Sequence, residues 1–112
     1  MEHIQYEDFW KVELRVGTIL EVGPFPQARK PAWQLTIDFG PELGIKKSSA
    51  QITHLYSESD LAGRQIIAVC NFPPKQIANF FSEVLVLGVH NDAGEVVLLQ
   101  AERPVANGSR IS

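Results

Sequence analysis

Val12-Glu13-Leu14-Arg15-Val16-Gly17-Thr18-Ile19-Leu20-Glu21-Val22 carries the reading of the fold. Val12, Leu14, Val16, Leu20 and Val22 share one parity. Glu13, Arg15, Gly17 and Glu21 share the other, which Ile19 interrupts. Successive side chains of a strand point to opposite faces, so this period of two predicts a β-strand. Gly17, in mid-strand, predicts a bulge or a bend of the kind a barrel needs at its corners.

Outward from that strand the punctuation repeats. Gly23-Pro24-Phe25-Pro26 ends it. Trp33, Leu35, Ile37 and Phe39 then alternate with Gln34, Thr36 and Asp38, a second strand that Gly40-Pro41 stops. Ile45 to Ile52 reads as a third, more polar strand, and His54 to Leu61 as a helical turn or two before Gly63. Gln65 to Phe72 is a fourth strand, apolar almost throughout, stopped by Pro73-Pro74. Glu83 to Val89 is a fifth, and Val96 to Gln100 a sixth after the turn Asn91-Asp92-Ala93-Gly94. A further turn falls at Asn107-Gly108. Short strands with Gly/Pro punctuation and little helix predict an all-β barrel or sandwich. A five-stranded Greek-key barrel with a helix between its third and fourth strands is the oligonucleotide-binding (OB) fold, and the turn at His54–Leu61 falls in that gap. Tyr6, Phe9 and Trp10 form one face of a short N-terminal helix. Such a helix is too short to stand alone, so it docks on its own barrel or on a partner chain. The segment after Pro104 forms a C-terminal extension.

Composition bounds the function. The 112 residues make one domain, 1–112, with 45% hydrophobic and 21% charged residues, an ordinary soluble balance. The single cysteine, Cys70, sits in the apolar run Ile66–Cys70 and reads as a buried structural thiol. No stretch has the form of a signal peptide or a membrane span, so the expectation is a cytoplasmic protein without membrane insertion. The Asn107-Gly108-Ser109 sequon then has no meaning. The net charge of −3 counts against nucleic-acid binding unless positive charge is gathered locally.

No enzyme signature is present. His3, His54 and His90 are far apart, without metal-ligand spacing to one another or to Cys70. There is no nucleophile elbow, P-loop or dinucleotide fingerprint. The expectation is no catalytic residue, no metal and no cofactor. The unusual chemistry lies instead between Ile45 and Leu87. Lys46, Lys47, Ser48, Ser49 and Gln51 put two point charges and three small polar groups on one strand, a set that suits phosphate, ribose and base edges. Alternation places Lys47, Ser49 and Gln51 on one face and Lys46, Ser48 and Ala50 on the other. An exposed edge strand kept soluble by lysines has the same composition. Asn71 to Glu83 surrounds Phe72, Phe80 and Phe81 with Asn71, Lys75, Gln76, Asn79 and Ser82. Rings among basic and amide groups suit single-stranded RNA, whose bases stack on them. Phe72, following an apolar strand, is assigned to the core; Phe80 and Phe81 read either way. Arg29-Lys30 and Arg15, the latter placed on the outer face, complete a candidate patch on an acidic body.

At these residues the chain resembles a family. Phe9-Trp10-Lys11-Val12-Glu13-Leu14-Arg15-Val16-Gly17-Thr18-Ile19 looks like the opening of tRNA-binding OB domains such as the C-terminal module of bacterial methionyl-tRNA synthetases. Asp38-Phe39-Gly40, Ile45 to Thr53, Asn71-Phe72-Pro73-Pro74, Ser82 to Gly88 and the ending Pro104-Val105 to Asn107-Gly108-Ser109 look more narrowly like the CsaA proteins. The resemblance implies an OB-fold homodimer that binds tRNA selectively by its structure, without catalysis, and that handles unfolded or export-bound proteins. It carries tRNA contacts onto Lys46, Lys47, Ser48, Ser49, Gln51, Asn71, Lys75, Ser82 and Glu83. Arg15 and Lys30 join them from the charge argument. Glu83 repels phosphate, so its expected role is to accept from a base amino group or to orient Lys75 or Arg15. Trp33, Phe80 and Phe81 are candidate peptide contacts, for the alternative in which peptide binding is primary and RNA binding secondary. Tyr6, Phe9, Trp10, Val105 and Ile111 exceed what a five-stranded barrel needs and are candidate dimer contacts.

Overall fold

The computed structural model describes residues 1–112. In chain order the elements are α1 (Tyr6–Trp10), β1 (Leu14–Pro24), β2 (Trp33–Asp38), α2 (Gly40–Leu43), β3 (Ile45–Ala50) and α3 (Glu58–Leu61). There follow β4 (Gln65–Val69), β5 (Lys75–Ile77), β6 (Phe80–Ser82), β7 (Leu85–Val86), β8 (Gly88–His90) and β9 (Val96–Leu98). β1 is the hub. Its first half pairs antiparallel with β4, from Leu14↔Val69 to Thr18↔Gln65, and its second half with β2, ending at Pro24↔Trp33. β3 and β7 extend the order to β3-β2-β1-β4-β7. The two outer strands then approach each other. Glu83 N donates to Lys47 O (2.7 Å), and Ser48 Oγ donates to Val84 O (3.1 Å). The result is a nearly closed five-stranded antiparallel barrel of OB type, all-β with little helix.

The bulge in β1 lies at Leu20, where the register shifts between Ile19 and Glu21, and not at Gly17. The expected parity therefore holds only in part, since Val16 is buried and Val22 packs on the core. Gly17 and Ile19 face the core, while Leu20 is exposed. A Cβ on Gly17 would meet the side chains of Ile37 and Phe39 at 2.7 Å, so glycine serves close packing there. Ile19, Leu35, Ile37, Phe39, Leu61, Ile66 and Ala68 are fully buried and form the heart of the core. α3 plugs the gap between β3 and β4 with Leu61. Its start is fixed reciprocally: Asp60 N donates to Ser57 Oγ (3.3 Å) and Ser57 N to Asp60 Oδ2 (2.9 Å).

The C-terminal extension completes β1. Gly108 N donates to Val16 O, Val16 N to Ser109 O, and Ile111 N to Leu14 O, which satisfies the edge of β1 opposite β4. Gly108 sits at φ +89°, and a Cβ would lie 2.6 Å from Phe39 O, so the tail can approach the barrel only as glycine.

Three strand expectations change. The fifth strand, Glu83–Val89, is two elements: β7 pairs with β4, and after Leu87 the chain leaves to pair β8 with β9. Gly88 allows the turn away, since a Cβ there would fall 2.6 Å from Val96. The fourth strand ends at Val69, and Phe72 is exposed, not core. The segment between Pro74 and Glu83 is a β-hairpin, β5–β6, which the sequence hides. Its turn needs φ > 0 at Ala78 (+54°), a position where glycine is the usual signal. Cys70 is partly buried, and burial pushes its thiol up to about 11, which leaves it unreactive near neutrality.

Candidate nucleic-acid interface

The hairpin β5–β6 is docked on β3 through its second strand. Ser49 N donates to Ser82 Oγ (3.0 Å) and Lys47 N donates to Glu83 Oε1 (3.0 Å). Lys75 pairs with Ser82 across the hairpin. Phe80 packs on Phe25 with ring centroids 5.2 Å apart, which joins the hairpin to the loop holding Arg29 and Lys30. One continuous surface thus runs from the 25–32 loop over β3 to the hairpin. In OB folds that face and those loops are where oligonucleotides lie.

The charges sort themselves on this surface. Of ten basic residues, Lys11, Arg15, Arg103 and Arg110 are ion-paired with carboxylates. Arg64 stacks over Tyr56 at 5.1 Å and donates to Gln100. Arg29, Lys30, Lys46, Lys47 and Lys75 have no acidic partner, and all lie in the β3, hairpin and 25–32 loop region. Lys46 and Lys47 point to opposite faces, as alternation requires. Lys47 lines a shallow groove with Gln34, Thr36 and Phe80, whereas Lys46 sits at the barrel rim, where its charge acts on Cys70. Gln51 is exposed beside them, and Ser49 is half-buried.

Several expected contacts are structural instead. Ser48 is fully buried, its hydroxyl spent on Val84 O and Ser49 O, so it closes the barrel and is not presented at the surface. Asn71 accepts from Glu13 N (3.0 Å) and donates to Lys11 O (2.7 Å), pinning the chain that enters β1. Asn71→Ala is expected to cost about 1–2 kcal/mol of stability through those two bonds. RNA affinity should stay within about twofold, as urea unfolding and a binding titration on the same variant will show. Glu83 orients the backbone of Lys47, not Lys75 or Arg15. Phe80 is buried, and Trp33 is half-buried with Nε1 donating to Tyr56 O (2.9 Å), so of the three expected peptide contacts only Phe81 is free.

Arg15 is also withdrawn from the surface. It donates to Glu13 (2.8 Å) and Gly108 O (2.9 Å), and Arg110 Nη2 reaches the other oxygen of Glu13 at 3.1 Å. Donation from Arg15 holds the Glu13 carboxyl below its ordinary range, against some desolvation and with Arg110 adding to the lowering. A depressed folded pKa stabilises above the unfolded value, and the effect is lost as pH falls through the folded one. The Tm advantage of wild type over Glu13→Gln should therefore be complete near neutrality. It should close in acid, below the ordinary carboxylate range; a gap constant with pH would remove this cluster from the account.

At the opposite end of the cluster, Arg110 stacks over Trp10 at 5.0 Å and donates to Trp10 O. Ile4, Tyr6, Phe9 and Trp10 line an apolar hollow of about 380 Å³ with Gln5 and Ser112. Val105 and Ile111 do not line it; Val105 is held by Gln65 and Ile111 by Leu14. The largest hollow, about 660 Å³, lies elsewhere, between Thr18, Asp60, Arg64, Gln100 and Glu102. Its charges are spent within the fold: Glu102 on Arg103, Asp60 on Ser57, Arg64 on Tyr56 and Gln100. No three His, Cys, Asp or Glu side chains converge on a metal-binding geometry. No helix is long and apolar enough to cross a membrane.

Comparison with known proteins gives the family. The family described as "Putative tRNA binding domain" matches residues 14–110. The chain is 31% identical over 111 residues to the methionine–tRNA ligase of Methanocaldococcus jannaschii, covering 99% of this chain and 17% of the ligase. It is 33% identical over 110 residues to that of Parabacteroides distasonis, covering 98% and 16%. The chain thus spans about a sixth of those ligases' length. Among solved structures, the chaperone CsaA of Bacillus anthracis is 54% identical with a TM-score of 0.91, covering 99% of this chain and all of that one. The CsaA chaperone of Picrophilus torridus is 52% identical, also at 0.91, covering 98% and 100%. A barrel closed on β1 and an unpaired lysine face thus coincide with full-length likeness, and the chain belongs to the tRNA-binding domain family and, within it, to the CsaA group.

Proposed function

We propose that this protein binds tRNA, without catalysis, through the face formed by β3, the β5–β6 hairpin and the 25–32 loop. The observation that carries the reading is the segregation of charge. On a body of net charge −3, the lysines free of ion pairs are gathered in β3, the hairpin and the 25–32 loop, and the fold neutralises most of the remaining basic residues internally. The contacts are Lys46, Lys47, Gln51, Lys75 and Lys30, with Ser49, Ser82 and Glu83 shaping the surface between them. A local patch of this kind suffices for a polyanion because phosphate contacts release condensed counterions. We further infer a cytoplasmic homodimer in which the exposed apolar residues of α1 and of the segment before it (Ile4, Tyr6, Trp10) are covered by a second copy, so that two patches act together.

Titration of total tRNA at several salt concentrations tests the reading. Log K against log salt should fall by roughly 0.7–0.9 per phosphate neutralised. Affinity insensitive to salt would refute it. The solved CsaA relatives are chaperones, and the exposed Phe81 favours a second activity here, capture of unfolded or export-bound chains. Suppression of aggregation that persists in high salt is the outcome expected of that activity.

A further inference from the structure

A hollow of about 370 Å³ opens beside the hairpin, lined by Phe72, Pro73, Lys75, Ser82, Glu83, Val84 and Leu85. Its lining joins apolar surface to an unsatisfied acceptor. Phe72 and Leu85 stay 55% and 50% exposed although both adjoin well-packed strands, so apolar surface is kept in water at the hollow's wall. Glu83 contributes a carboxylate of which only Oε1 is engaged, accepting from Lys47 N at 3.0 Å. No basic side chain pairs with it, although Lys75 lines the same hollow. Oε2 has no partner in the fold, and Oε1 retains a lone pair.

We propose that this hollow receives one unpaired guanine of the bound RNA, a reading that rests on the RNA-binding function above. A flat heterocycle placed on the Phe72 ring gains stacking. Its 5′ or 3′ phosphate then falls to Lys75. Guanine presents two parallel N–H donors, on N1 and N2, and a carboxylate accepts such a pair with both oxygens. Adenine and cytosine offer one amino group and uracil one ring N–H, so each leaves part of the acceptor set unused. The Lys47 N–H fixes which way the carboxylate faces, so the acceptor is oriented before the base arrives. A pocket for an apolar peptide side chain would have no use for a carboxylate and a lysine on its lining, because burying either without a partner is costly. Glu83 thereby gains a purpose that charge alone denies it on an RNA-binding face.

The test uses mononucleotides and the intact protein. With ¹³C-labelled methyl groups, Val84 and Leu85 are followed during titration with GMP, AMP, CMP and UMP. Saturating shifts with GMP, at an affinity about tenfold above the other three, are expected. Glu83→Gln keeps an oxygen for Lys47 N and turns an amide NH₂ toward the hollow. It should abolish the guanine preference while the fold, read by the remaining methyl spectrum, is unchanged. Phe72→Leu keeps the wall apolar and should weaken all four nucleotides roughly fivefold to tenfold. Absence of nucleotide-dependent shifts, or shifts equal for all four, overturns the guanine site. Shifts with an apolar peptide but with no nucleotide overturn it in favour of a side-chain pocket. A tRNA titration run in parallel separates the two levels. Salt-dependent tRNA binding without mononucleotide shifts removes only the pocket, whereas loss of tRNA binding with GMP shifts intact removes the tRNA reading and leaves the guanine site.

Discussion

Lys46→Ala, Lys47→Ala and Lys75→Ala combined are expected to lower tRNA affinity roughly 100-fold to 500-fold at 0.1 M salt, because each lost phosphate contact removes a factor of about 5–8 there. The salt slope should flatten by about 2–3 for the same reason. The three side chains carry no ion pair and no hydrogen bond within the fold, so the variant loses charge without losing support. Its urea midpoint should match wild type within about 0.5 kcal/mol, the usual effect of surface substitutions. Lys11→Ala is the control. Lys11 follows α1, outside β3 and the hairpin, and is paired with Asp8 at 3.6 Å, so its loss should leave the slope unchanged. A triple variant with the wild-type slope would mean that the phosphates are held elsewhere.

The second large effect concerns the barrel itself. Phe39 is the largest fully buried side chain, packed against the inward face of β1 at Gly17. Its own carbonyl lies where the tail crosses at Gly108, and its N–H donates to Gly44 O. Phe39→Ala removes the ring and leaves a cavity bounded by strands that hydrogen bonds hold in place. A cost of about 3–5 kcal/mol is expected, a large part of the total stability of a domain this size. Circular dichroism during urea unfolding measures it. Because Phe39 contacts no candidate ligand group, the folded fraction of the variant should still bind tRNA with the wild-type salt slope. A cost under about 1 kcal/mol would mean that the core closes without this ring.

The fold was legible where local chemistry and tertiary demand agree. Alternation marked β1 and β2, and glycine–proline pairs marked their ends. The Ser57–Asp60 capping pair sits in the interval where an OB fold requires a helix. Legibility failed where a residue answers to a distant partner. Nothing local says that Gly17 faces Phe39 or that the register shifts at Leu20, so alternation alone does not show that Gly17 and Ile19 face the core. Nothing local says that Asn71 reaches Glu13 or that Arg15 reaches Gly108, so the sequence does not show that both side chains hold the fold. Ser48 misled for the same reason, since its hydroxyl is the seam between β3 and Val84. Ala78 in a left-handed turn concealed the hairpin, and with it the exposure of Phe72. The lysines needed no such knowledge. A lysine without a nearby carboxylate is exposed and charged in almost any fold, which is why Lys47 and Lys75 were identifiable from composition alone.

The chain's five lysines report directly on the surface proposed to face tRNA. Acetylation of each ε-amine by a limiting reagent, followed by mass spectrometry, gives its accessibility with and without saturating tRNA. Lys46, Lys47 and Lys75 should be protected several-fold, Lys30 less, and Lys11 not at all. Equal protection of all five, or protection of Lys11 with Lys47 and Lys75 left reactive, would contradict the placement of the RNA on β3 and the hairpin.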